Sequence, residues 1–139
     1  AIHKRLHRIT GDIDSLDEAL FALERGFFLK KDYYNGINLA FMLDTKACAG
    51  PDGPDADLRA VARYVRREVI AICHQARTAD DLNPDQAYWI LATLYEASVG
   101  LGEHADADRW RIASEQAAPH AWMLATTHEQ VDRLRAQLA

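Results

Sequence analysis

Tyr88-Trp89-Ile90-Leu91-Ala92-Thr93-Leu94-Tyr95-Glu96-Ala97 is apolar almost all the way round a helix. The same holds for Asp32-Tyr33-Tyr34-Asn35-Gly36-Ile37-Asn38-Leu39-Ala40 with the Phe41-Met42-Leu43 that follows it. A helix that is apolar on every side sits at the centre of a packed domain, not at its edge. Each of these two also carries one strongly polar side chain, Asn38 or Glu96, where the pattern expects burial. A buried polar group without a partner costs about 1–3 kcal/mol, so each must either tie helices together or line a pocket.

Working outward, apolar residues recur at helical spacing nearly throughout and strand signals are almost absent, which predicts an all-α chain of about seven helices. The first runs from about Ile2 to Ile9. The second opens on Asp14-Ser15-Leu16-Asp17-Glu18, where a capping side chain precedes acids that favour the positive end of a helix, and it ends near Lys30-Lys31. The two central helices span about Tyr34–Ala47 and from Pro84 to about Leu101. Between them lie a loop with two Gly and two Pro, Gly50-Pro51-Asp52-Gly53-Pro54-Asp55, and a long helix over about Asp57–Ala76. That helix is expected to bury Leu58, Val61, Ala62, Val65, Val69, Ile72 and Cys73. Two further helices, about Asp106–Ala118 and Trp122–Leu138, follow. Short turns between them imply antiparallel neighbours.

The chain has 139 residues, 49% hydrophobic and 27% charged, the range of a single soluble domain that buries roughly two thirds of its unfolded surface. No apolar run approaches the roughly 20 residues that span a bilayer, so no membrane partner is expected. A net charge of −5 argues against nucleic acid as a partner. Two cysteines, Cys48 and Cys73, are too few for a disulfide framework and read as free thiols of a reducing, cytoplasmic setting. The absence of an initiator Met and of a secretion signal makes a fragment of a longer protein the expectation, with residues 1–139 as one domain.

Periodicity adds a repeat. Tetratricopeptide units need a small residue, a large one four later, another small one three after that, and then a turn. Ala19, Leu23, Gly26 and Lys31-Asp32 meet that spacing. A looser unit starts at Trp89 with Ala92 and Thr93 and continues through Ala107, Trp110 and Ala113. Helical hairpins stacked as a short right-handed, tetratricopeptide-like α-solenoid are the expected architecture.

These residues also carry a family resemblance. His3-Lys4-Arg5, Leu16-Asp17-Glu18-Ala19 through Gly26-Phe27, the whole Asp32 to Ala40 block, Tyr88-Trp89, Ala92-Thr93, Glu96-Ala97, Trp122, Thr127 and Gln130-Val131 together resemble the TRAFs-binding domain. That domain occurs in the apoptosis-signal-regulating class of MAP kinase kinase kinases and in bacterial proteins of tetratricopeptide type. The resemblance covers most of the chain, and its Tyr-x-Gly-Ile-Asn block is the more specific part. It implies an all-helical regulatory scaffold that assembles signalling partners and has no catalysis of its own. The chain carries no kinase segment and its Gly50 to Asp55 loop is its own, which favours a bacterial or stand-alone relative.

Helical geometry puts Trp89, Thr93 and Glu96 on one stripe and Tyr34, Asn38 and Phe41 on another. The functional expectation is a concave groove in which Asn38 and Glu96 orient a bound protein segment while Trp89 and Tyr34 supply contact area. The plainer reading has both polar groups satisfying backbone, each other or tyrosine hydroxyls. Arg59, Arg63, Arg66 and Arg67 predict a basic helix face, solvated and paired with Asp80-Asp81 or Asp106-Asp108, or else facing an acidic or phosphorylated partner. His3 and His7, four apart, have no third ligand at a telling distance, so no metal is expected. The remaining histidines lack a nucleophile with an orienting group, and there is no phosphate loop. The expectation is therefore a scaffold module without enzymatic activity or cofactor. Its alternatives are a small-molecule or enzymatic domain using Glu96 and Asn38 in a closed pocket, or a spacer that self-associates through its end faces.

Overall fold

Cap by cap, the turn residues place the helices in the computed structural model, which describes residues 13–139. Among these residues there are six α-helices and no strand: α1 (Ile13–Lys30), α2 (Tyr33–Ala49), α3 (Ala56–Ala76), α4 (Pro84–Leu101), α5 (His104–Ala117) and α6 (Ala121–Leu138). The helix expected over residues 2–9, with His3 and His7, lies outside the described residues. Asp32 caps α2 by accepting from the Asn35 amide at 2.7 Å, and Asp55 caps α3 by accepting from Asp57 and Leu58. Asn83 and Gln86 form a reciprocal capping box ahead of α4, with Pro84 at the first helical position. At its other end Gly102, with φ 71°, closes a Schellman motif in which Gly102 donates to Val99 and Glu103 to Ser98.

Consecutive helices from α1 to α5 pack on each other, and the even-numbered α2, α4 and α6 also touch one another. One core cluster runs through α1 to α6, from Leu16, Leu23 and Phe27 through Met42, Val69 and Leu94 to Leu134. A smaller cluster of Tyr88, Ala92 and Met123 joins α4 to α6. Gly36 allows the closest crossing. A Cβ there would stand 2.8 Å from Phe27 Cε1 and closer still to Val69 Cγ2, so α1 and α3 both press on α2 at this point.

At the middle of the bundle the expected basic face is corrected. Arg66 is wholly buried, and its Nη1 lies 2.6 Å from Asp44 Oδ2 of α2, itself buried. The reason is angular. At about 100° per residue, Arg66 lies about 20° past Cys73 at one edge of the arc of Ala62, Val65, Val69 and Cys73, whereas Val61 lies about 40° past Val65 at the other edge. Val61, expected in the core, is accordingly 48% exposed. Gly100 of α4 makes room for the guanidinium, since a Cβ there would lie 2.5 Å from Arg66 Cδ and Cζ.

Candidate functional site

A half-open groove of about 510 Å³ lies where α2, α4 and α6 meet. From α2 it takes Tyr33, Tyr34, Ile37 and Asn38. From α4 it takes Trp89, Ala92, Thr93 and Glu96, spaced so that one helix face supplies them all. Five of the six residues expected to line a groove, Tyr34, Asn38, Trp89, Thr93 and Glu96, therefore meet at one opening, although α2 and α4 are not consecutive in the chain.

Phe41 is the exception. It sits one turn further along α2 and is buried in the main core. In this half of α2 the end of α6 closes over it: Gln137 donates to Thr45 Oγ1 at 2.5 Å, and Cys48 donates to the Gln137 carbonyl at 3.4 Å. The stripe continues in angle, but the groove has ended.

The third wall was not legible beforehand. It comes from α6, through Thr126, Thr127, Gln130 and Arg133, with Glu129 beside them. Arg133 is ion-paired to Glu129 one turn away. The α4–α6 seam is pinned by the Tyr88 hydroxyl, 2.7 Å from Thr127 Oγ1 and 3.1 Å from the Met123 carbonyl. Burial pushes the Tyr88 phenol above its ordinary value, against the opposing pull of the Thr127 hydrogen bond. Burial also raises that of Tyr33, with Cys73 and Asp32 acting in the same direction. Both phenols therefore stay protonated donors at neutral pH.

Depth grades the groove. Thr93 and Glu96, each 8% exposed, form its floor, while Tyr34 at 54% stands at its lip. Thr93 donates to the Trp89 carbonyl at 2.7 Å and Asn38 to the Tyr34 carbonyl at 2.9 Å, so each polar side chain is oriented by its own helix. An aromatic ladder runs outward from the buried Tyr88: the Tyr88 and Trp89 rings lie 4.9 Å apart, and Trp89 and the exposed Trp122 lie 6.2 Å apart.

The four arginines of the expected basic face part company. Arg66 is in the core. Arg59 donates to the Gln137 carbonyl at 2.8 Å and Arg63 to the Leu101 carbonyl at 3.4 Å, at the C-terminal ends of α6 and α4, where orphan carbonyls and the negative dipole end favour a cation. Arg67 alone of the four is exposed with no such role among the described contacts. Asp106 and Asp108 pair with Arg109 and Arg111 on their own helix instead. The four therefore do not form one exposed face of α3.

Cys48 and Cys73 are free thiols. Cys73 is buried, which holds its thiol up at about 12. Among the described residues no group of three or more His, Cys, Asp or Glu is placed to hold a metal ion, and no helix is long and apolar enough to cross a membrane. No protein-family model, curated protein or solved structure matches the chain.

Proposed function

We propose that this chain is a protein-interaction module that receives a partner segment in the groove between α2, α4 and α6. One observation carries the reading. Five side chains chosen for their helical stripes, Tyr34, Asn38, Trp89, Thr93 and Glu96, line a single open groove. Aromatic contact area at the lip with oriented hydrogen-bonding groups below it is the composition of an interface centre. The mutual contacts of α2, α4 and α6 support a tetratricopeptide-like, right-handed α-solenoid with these as the inner helices. Scaffolding in a signalling or stress-response protein of the TRAFs-binding domain type, in the cytoplasm, is the setting that fits this architecture.

A volume of about 510 Å³ also suits a small molecule, since ligand pockets span about 300–1,000 Å³. That is the second reading, and the open mouth weighs against it. The test is selection of a random-peptide display library on the folded chain. Selected peptides are expected to lose about tenfold or more in affinity on Trp89→Ala and Asn38→Ala chains of unchanged helicity. Equal binding to both variants would remove the groove from the interaction. Self-association is read separately, by light scattering of the intact chain against Trp122→Ala.

A further inference from the structure

Away from the groove, α1 turns an apolar side to water. Phe21 is 63% exposed, Phe28 54% and Leu29 74%, and no other described helix leaves more than two large apolar side chains so open. We propose that this face of α1 is the seam of a two-fold dimer, in which a second copy of the chain packs its α1 alongside, the two helices running parallel. The step is independent of what the groove receives.

Placement comes first. The main helix contacts of α1 are with α2, so among the described residues it is an outer helix of the bundle. An outer helix of a helical stack needs a polar outward face to meet water, and this one carries two phenylalanines there. At about 100° per residue, Phe21 and Phe28 stand within about 20° of each other and about 130° round from the Leu23 and Phe27 side that enters the core. At about 200 Å² for a phenylalanine, the open parts of Phe21, Phe28 and Leu29 come to roughly 300 Å² on each copy. Two copies then bury roughly 600 Å² through these residues alone, and the polar edges of the helix bring the contact toward the roughly 1,000 Å² of a specific interface. The dimer is therefore a weak one, set by concentration.

Charge identifies the occupant as another copy. Glu24 and Arg25 stand about 50° to either side of the line through Phe21 and Phe28. Neither has an ion pair among the described contacts, and Arg25 lies instead 5.8 Å over the Phe21 ring. A two-fold axis parallel to the helices sets opposite edges together, so the Arg25 edge of each runs along the Glu24 edge of its copy while Phe21 and Phe28 meet their own counterparts. Antiparallel pairing would bring like edges together, Arg25 beside Arg25. Asp17, one turn before Phe21 on the same side, is neutralised within its own chain by Lys46 at 2.8 Å. A seam whose two edges carry opposite unpaired charges is complementary to itself.

Sedimentation velocity from about 5 µM to 1 mM tests this, with the average mass expected to rise from one chain toward two. Phe21→Ser with Phe28→Ser is expected to weaken association about tenfold or more at unchanged helicity, since both side chains are exposed. Glu24→Arg alone and Arg25→Glu alone should each weaken it about threefold or more, and the two swaps in one chain should restore it. That restoration is a gain, which misfolding cannot mimic. A single species at every concentration overturns the dimer and leaves the face to a different protein. Association untouched by the paired serine changes overturns this face as the seam, and a double swap as weak as the single ones overturns the parallel pairing.

Discussion

Replacing Arg66 by Met should be the most damaging single change in the core, and replacing Arg66 and Asp44 together should not. Arg66 Nη1 and Asp44 Oδ2 are 2.6 Å apart and both side chains are buried. Removing the arginine leaves a carboxylate with 1% exposure deep among apolar residues, and breaking a buried pair from one side costs about 3–5 kcal/mol. Against a total stability of about 5–15 kcal/mol, that is a large share. With a urea m-value of about 2 kcal/mol/M, the midpoint should fall by about 2 M. The pair is nonetheless under-satisfied: Arg66 Nε and Nη2 have no hydrogen-bond partner although both are buried. The Asp44→Leu, Arg66→Met double variant removes two desolvated charges and fills the space with methylenes, so it is expected within about 1 kcal/mol of the parent, or above it. Urea titrations followed by circular dichroism and tryptophan fluorescence measure all three. A single Arg66→Met variant that loses under about 1 kcal/mol, or a double variant that merely adds the two single losses, would refute the reasoning.

Gly36→Ala should cost about 1–3 kcal/mol, because Phe27 and Val69 occupy the position of the new methyl, whereas Gly50→Ala meets no atom within 4 Å and should be nearly neutral. Thermal unfolding of the two variants compares them directly. Lys31 ends α1 at φ 52°, donating to the Phe27 carbonyl at 2.7 Å, with its ammonium over the Phe27 and Phe28 rings. Lys31→Gly relieves the left-handed strain but loses those ring contacts, so a gain of up to about 1 kcal/mol is expected in chemical denaturation. Cys73 gives the pH dependence. Its folded pKa lies above the unfolded one, so the folded state holds the proton that the unfolded state gives up. The contribution is complete below the ordinary thiol value of 9.0 and is lost as pH rises toward about 12. Cys73→Ala should flatten that alkaline limb in stability measured against pH.

Helix boundaries were largely legible because they are set by local chemistry. Asn83-Pro84 and Asp55 state where a helix starts, and Gly102 states where one stops, whatever the helix packs against. Two of the three groove walls were legible for a related reason: a stripe of positions four and seven apart shares a face without knowledge of any neighbour. What failed was everything that depends on which helix lies opposite. The α6 wall could not be read because nothing in Thr126 or Gln130 says that α4 is beside them. Phe41 shares the angle of Tyr34 and Asn38, yet the approach of α6 shuts the groove before reaching it. Arg66 carried the strongest available clue, since it stands at the edge of the apolar arc of α3, about 20° from Cys73. That clue becomes a buried ion pair only when Asp44, the one acid of α2, is placed across from it.

The clasp of Gln137 on Thr45 and Cys48 joins positions 92 and 89 residues apart in the chain. A stack of helical hairpins with only neighbouring contacts can fray from either end, and the last turn of a terminal helix ordinarily exchanges its amide hydrogens first. Here the final turn of α6 is held to the middle of the chain by side-chain and carbonyl bonds together, with Arg59 on the same carbonyl. It opens only when α2 and α3 release it. The end of the chain thereby becomes part of the same cooperative unit as the groove.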